Sequence, residues 1–336
     1  MCPPIMQNNS LKSLNINEQF DYVVDGFKKL TEIFALNNAA KIIALNRILR
    51  CKIRSIDLTQ CRVDAVPDLS RFKSLQELVL RTNLLVTLNE NLSVVTLTEL
   101  DLYDNQIEAI SNLETLVNLE VLDMSYNRIR KLEGLSNLRN LKKVFFVHNK
   151  IGAIEGLEAM KDLELLELGD NRIKKIENIA HLTNLREFYI GKNKIQKLES
   201  LETLQKLRVL SIPANRLTSL DGIEALPMLR ELHISDQGLE SLAQLSALNE
   251  LTIIDASSNS ISKLDGLSHM NNLEDLWLND NEIADWNEVA KLGKMKSLNT
   301  IYLERNPIYK SDVSGYRRKV MLNMPSVKQI DATLCR

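Results

Sequence analysis

The chain has 336 residues, 44% of them apolar, with 42 Lys and Arg against 44 Asp and Glu and aromatics at only 5%. Near-neutral charge excludes a globally basic nucleic-acid binder and an acidic disordered chain, and the scarcity of rings calls for an aliphatic core. Four cysteines (Cys2, Cys51, Cys61, Cys335) lack metal or paired spacing, which favours a reducing compartment over a disulfide framework. Residues 1–16 read as a disordered start; MCPPIMQNNS has no basic region leading into an apolar one, so no signal peptide is expected. No apolar run reaches membrane-spanning length. Residues 17–50 read as a helical N-terminal cap. Within them Phe20, Val23, Val24, Phe27, Leu30 and Phe34 fall on one helical face, and residues 39–49 continue with a second apolar pattern. The alternative for this segment is a separate partner-binding helix.

From residue 51 a pattern L-x-x-L-x-L-x-x-N takes over. It runs IRSIDLTQC to Cys61, LQELVLRTN to Asn83, LTELDLYDN to Asn105 and LEVLDMSYN to Asn127. LKKVFFVHN, LELLELGDN, LREFYIGKN and LRVLSIPAN follow, then LRELHISDQ to Gln237, LTIIDASSN and LEDLWLNDN to Asn281. Each step is 22 residues; the twelfth unit, LNTIYLERN to Asn306, comes after 25. This is the leucine-rich repeat pattern. It implies an α/β solenoid of about twelve turns over residues 51–308, with one short strand per turn stacked in a parallel concave sheet. The Asn side chain should satisfy buried backbone groups of the neighbouring turn. Cys61 and Gln237 replace it, and Gln237 suggests an altered turn. The three extra residues around WNEVAKLGKMK should turn one convex segment into a helix. Residues 309–336 form a C-terminal cap of the same repeat family: YRRKVMLNMPSVKQIDA reads as a short helix and a closing turn.

Period-two alternation identifies the side chains that leave the core. The central strand position gives Asp57, Val79, Asp101, Asp123, Phe145, Glu167, Tyr189, Ser211, His233, Asp255, Trp277 and Tyr302. The flanking position gives Ser55, Glu77, Glu99, Val121, Lys143, Leu165, Glu187, Val209, Glu231, Ile253, Asp275 and Thr300. Ten of these 24 are acidic and only Lys143 is basic, while four of the chain's 16 aromatics sit at the twelve central positions. Rings among carboxylates on an open sheet describe a protein-binding surface whose partner is basic and apolar; a phosphate backbone would be repelled. Basic residues collect instead just after the ladder position, at Arg128, Lys150, Arg172, Lys194 and Arg216. They read as a solvated edge, or as a site for an anionic partner.

Ser211, His233 and Asp255 share one position on adjacent strands, like the members of a hydrolase triad. An open sheet offers neither a strained nucleophile turn nor spare N–H groups for an oxyanion hole, so no catalysis is expected. Lys143-Val144-Phe145-Phe146 matches a short phosphatase-docking motif. Val144 and Phe146 are inward positions of a strand, however, so the match reads as coincidence. Neither metal spacing nor a phosphate loop occurs, and no cofactor is expected.

The segments ELDLYDNQI, ELGDNRIKKIENI, LGKMKSLNTIYLERNP and TIYLERNPIYKSDVSGYRRKVMLNMPSVKQIDAT resemble the protein phosphatase 1 regulatory subunit 7 family, over about residues 75–336. The resemblance implies a non-catalytic regulator of the nucleus and cytoplasm. It would bind the catalytic subunit of protein phosphatase 1, alone or with a third regulatory protein, and neither nucleic acid nor membrane. The family's contact positions fall on Asp123, Phe145, Glu167, Tyr189, Asp255, Asp275, Trp277 and Tyr302, while His233 stands where the family has a tyrosine. A scaffold of another complex, spliceosomal or cytoskeletal, using the same face is the alternative.

Overall fold

The structure, a computed structural model, describes residues 13–15, 53–70 and 72–335, in two compact units, Met1–Leu163 and Glu164–Arg336. The expected helices within residues 17–50 lie outside the described residues.

The first unit holds strands β1 (Ser13–Asn15), β2 (Ser55–Asp57), β3 (Glu77–Val79), β4 (Glu99–Asp101), β5 (Val121–Asp123) and β6 (Lys143–Phe145), hydrogen-bonded in that order and all parallel. The second unit holds β7 (Leu165–Glu167), β8 (Glu187–Tyr189), β9 (Val209–Ser211), β10 (Glu231–His233), β11 (Ile253–Asp255), β12 (Asp275–Trp277) and β13 (Thr300–Tyr302). Each repeat thus contributes one three-residue strand, as the alternation predicts. Pairing joins equivalent positions, for example Leu100↔Leu122 and Leu232↔Ile254. No repeat could hide its own apolar edge, but stacking turns it into a continuous core. The inward residues Leu100, Leu102, Leu122, Met124, Leu276 and Leu278 are all fully buried.

Of the stretch expected to be disordered, residues 13–15 are described, as strand β1. It pairs in register with β2, Leu14 opposite Ile56. The segment Leu11-Lys12-Ser13-Leu14-Asn15-Ile16 carries the L-x-x-L-x-L letters. A parallel edge strand presents unpaired backbone groups, and β1 satisfies those of β2.

The Asn positions work as the sequence predicts. Asn105 Nδ2 donates to Leu102 O and Tyr103 O of its own turn, at 3.1 and 3.3 Å. It also donates to Leu80 O of the turn before, at 2.9 Å, while its Oδ1 accepts from Leu85 N at 3.1 Å. One amide therefore serves four backbone groups that water cannot reach. Gln237 is less disruptive than expected: its longer side chain still accepts from Leu217 N and donates to Ile212 O, keeping both bonds to the preceding turn. The chain needs a sharp bend before each of these residues. All twelve preceding residues, from Gln60 through Tyr126 and His148 to Arg305, are left-handed with φ between 51° and 61°. None is glycine, so each bend costs roughly 1 kcal/mol, offset by the amide ladder.

The 25-residue step produces the expected helix, α1 (Trp286–Lys291), started by Asp285, whose side chain accepts from Asn287 N. After Asn306 come α2 (Pro307–Ser311) and α3 (Val313–Asn323), which stops short of Pro325. α3 buries Tyr316 and Val320. Strand β14 (Gln329–Ile330) then pairs parallel with β13 and antiparallel with β15 (Thr333–Leu334). Asp331 locks this end. Its Oδ1 accepts from Leu303 N at 2.9 Å and Glu304 N at 3.1 Å, and its Oδ2 accepts from the Tyr316 hydroxyl at 3.0 Å. Asp331→Ala leaves three donors without an acceptor and is expected to cost about 2 kcal/mol. Residues 313–335 should then be cleaved first in limited proteolysis.

Candidate protein-binding face

In the first unit the outward residues of β2–β6 alternate with core residues, as the period dictates. Asp123 and Phe145 occupy opposed positions on β5 and β6, and Phe145 is half-buried. Central aspartates have a second role that spacing alone does not reveal. Asp57, Asp101 and Asp123 each accept, through Oδ1, the N–H two residues ahead (Thr59, Tyr103 and Ser125) at 2.8–3.0 Å. This bond fixes the carboxylate and turns Oδ2 outward along the sheet face.

The face extends one column beyond the central and flanking strand positions. Arg81 lies two residues beyond central Val79, so the same alternation brings it onto this side. Its Nε is 3.1 Å from Asp101 Oδ2 and its Nη2 3.9 Å from Asp123 Oδ2. The guanidinium also sits 4.4 Å over the Tyr103 ring. Tyr103 in turn packs on Tyr126 at 4.9 Å, and Tyr126 stacks on His148 at 4.8 Å. The acidic row therefore carries its own cation and a flanking row of rings.

Burial, then the neighbouring Asp123 and Glu99, pushes the Asp101 carboxyl up to about 6, against the Tyr103 N–H and Arg81. Burial and Glu77 likewise raise Glu99. With a folded pKa above the unfolded one, the native state binds the extra proton. Asp101 therefore lowers stability above pH 6, and that loss is relieved as pH falls toward 4. Asp101→Asn keeps the acceptor for Tyr103 N and should raise stability by about 1 kcal/mol at pH 7.5, after allowance for solvent screening. Urea titrations at pH 7.5 and 4 should show that gain shrinking at the lower pH.

In the second unit the rings gather toward the C-terminal strands. His233, Asp255, Trp277 and Tyr302 are successive partners across β10–β13. The His233 and Trp277 rings stack at 6.4 Å, and Tyr302 meets Trp277 edge-on at 6.3 Å. The Tyr302 hydroxyl accepts from Gln329 Nε2 at 3.2 Å. Asp255 Oδ1 accepts from Ser257 N and Oγ, at 3.1 and 2.6 Å. Asp275 lies on the flanking position of β12, on the strand that carries Trp277. Glu167 and Tyr189 are opposed on β7 and β8. The Tyr189 hydroxyl donates to Glu187 Oε2 at 2.9 Å; burial and that carboxylate push its pKa up, so it stays a neutral phenol. None of the rings at central positions is fully exposed: Phe145, Tyr189, Trp277 and Tyr302 are half-covered by neighbouring strands. That fits anchors held in position before a partner arrives. His233 joins the ring cluster although it was not among the expected contact residues.

Two alternatives find no geometry. Among the described residues Ser211, His233 and Asp255 make no hydrogen bond with one another: His233 faces Glu231 at 3.9 Å and Trp277, while Asp255 is held by Ser257. Val144 and Phe146 of the motif-like stretch are fully buried. Among the described residues no group of three His, Cys, Asp or Glu could hold a metal ion, and no helix is long and apolar enough to cross a membrane.

A family model described as a leucine-rich repeat region matches residues 52–242. The chain belongs to the leucine-rich repeat family. This leucine-rich repeat chain is 60% identical over 43 residues to a Caenorhabditis elegans protein named protein phosphatase 1 regulatory subunit SDS22 homolog. It is 52% identical over 54 residues to the human protein phosphatase 1 regulatory subunit 7. The stretches span 13% and 16% of this chain and 13% and 14% of those relatives, shorter than the resemblance over residues 75–336 expected from the sequence. Among solved structures, an internalin of Listeria monocytogenes superposes with a TM-score of 0.66 at 23% identity, covering 82% of this chain and 85% of the internalin. A leucine-rich repeat protein of Leptospira interrogans gives 0.63 at 21% identity, covering 82% and 83%. At such identities the likeness concerns the fold alone.

Proposed function

We propose that this leucine-rich repeat chain is a non-catalytic regulatory subunit that binds the catalytic subunit of protein phosphatase 1 through the acidic and aromatic face of its sheet. The observation that carries the reading is its 52–60% identity, over short stretches, to proteins named as regulatory subunits of that phosphatase. The geometry supports it with chemistry suited to a basic, apolar protein surface. In the second unit Tyr189, Trp277 and Tyr302 act as apolar anchors, and Glu167, Asp255 and Asp275 pair with Lys or Arg of the phosphatase. In the first unit Phe145 and Asp123 play the same parts. Binding sets the activity, assembly or targeting of the phosphatase in nucleus and cytoplasm, with no cofactor, nucleic acid or membrane involved.

The reading is tested by affinity purification of the tagged full chain from cell extract and mass spectrometry of what it retains. The phosphatase catalytic subunit should dominate and should be lost with Trp277→Ala. Retention of spliceosomal proteins or tubulin without any phosphatase would overturn it.

A further inference from the structure

The second unit carries a basic groove that the sheet face does not use. The inward residues Ile173 and Ile176 flank Lys174 and Lys175, and Ile195 and Leu198 flank Gln196 and Lys197. Inward packing thus forces the residues between them outward. Lys174, Lys175, Lys194, Lys197 and Arg216, from three successive turns, line one open hollow of about 490 Å³ together with Gln196 and Glu199. All five cations are exposed. Five positive groups against one carboxylate leave a local charge of +4 in a chain whose net charge is −2. Some cations elsewhere find acids, as Lys142 does with Glu120, Lys291 with Asp265 and Arg305 with Asp280. Among the described residues none of these five makes an ion pair. Concentrating unpaired like charges is unfavourable for the isolated chain. A second hollow of about 670 Å³ shares Lys197, Glu199 and Arg216 and continues to Thr218, Ser219 and Asp221. The groove therefore grades from cationic to polar.

The geometry points to a docking groove for an acidic peptide segment of a partner protein, distinct from the sheet face. Three turns at the ~4.8 Å strand spacing span about 10 Å, which matches about three residues of extended peptide at ~3.3 Å each. The partner thus contributes a short run of Asp or Glu to Lys174, Lys175, Lys194 and Lys197, and polar residues beyond it to Thr218 and Ser219. Glu199 and Asp221 suit a peptide, which can set an uncharged or basic residue against them; a nucleic-acid backbone repeats its charge at every step. No aromatic ring lines either hollow, so the stacking platform that single-stranded nucleic acid uses is absent from the groove.

Fluorescence anisotropy on the full chain tests this, using a fluorescein-labelled peptide with a run of glutamates flanked by serines and, as control, the same peptide with glutamines. The glutamate peptide should bind at about 50 mM salt and weaken as salt rises. The double variant Lys174→Glu, Lys197→Glu should weaken binding roughly tenfold or more. The variant Lys296→Glu, Lys328→Glu, at exposed lysines outside both hollows, changes net charge equally and should bind as the unaltered chain does. No binding, equal loss in both variants, or tighter binding of an oligothymidylate or of phosphatidylserine vesicles than of the peptide would overturn the assignment. The readout contains no phosphatase, so it stands or falls separately from the proposed regulatory role.

Discussion

Replacing Asn127 by alanine should destabilise the first unit by about 3 kcal/mol. Asn127 is 6% exposed and serves four backbone groups. Its Nδ2 donates to Leu102 O, Met124 O and Ser125 O at 3.0, 3.1 and 3.1 Å, and its Oδ1 accepts from Ile107 N at 2.9 Å. Alanine removes all four partners and admits no water to replace them. The residue before it, Tyr126, already holds φ at 56°, so the bend keeps its strain without the bonds that offset it. Stability in a stacked array is a sum over turns and their junctions, so the damage should also broaden the urea transition. Asn127→Gln provides the comparison. Gln237 keeps both bonds to the preceding turn, so glutamine at 127 should lose less than half as much. Circular dichroism during urea unfolding measures both; equal losses would mean that the inter-turn bonds contribute little.

The second large effect concerns binding rather than folding. Trp277→Ala should weaken association with the phosphatase catalytic subunit by about 2 kcal/mol or more, some 30-fold. The ring stands between His233 and Tyr302, half-covered, so it is oriented before contact and loses little freedom on binding. Its strand neighbours Leu276 and Leu278 are fully buried and keep β12 in place without it. The melting temperature should therefore barely move. Tyr302→Ala should weaken binding in the same direction; it also removes one acceptor of Gln329 Nε2, which still donates to Asp331 O. Calorimetric titration separates the cases: unchanged affinity for both variants would remove the ring cluster from the binding face.

The repeat made much of this legible. A fixed step from Cys61 to Asn281, with apolar letters at fixed offsets, gives strand positions, register and the amide ladder, because each turn repeats one local solution. The longer step before Asn306 likewise announces helix Trp286–Lys291. What escaped are features that depend on more than the period. Strand Ser13–Asn15 has the right letters, but its 42-residue distance from its partner Ser55–Asp57 breaks the step. Arg81 reaches the acidic row because alternation continues two residues past the central position, beyond the two strand positions that the repeat letters mark. The turn bonds of Asp57, Asp101, Asp123 and Asp255 show that aspartate at these positions also closes the backbone, so acidity there reflects structure as well as recognition. The rings of Phe145, Tyr189, Trp277 and Tyr302 are half-covered rather than exposed, because strands one spacing apart let each side chain lean on the next.

Direct binding is tested by isothermal calorimetry, with the purified protein phosphatase 1 catalytic subunit titrated into the full chain. A saturable heat at one phosphatase per chain is expected, weakened by added salt because acidic residues of the sheet face take part. Absence of any binding heat, confirmed by separate elution of the two proteins in gel filtration, would contradict it.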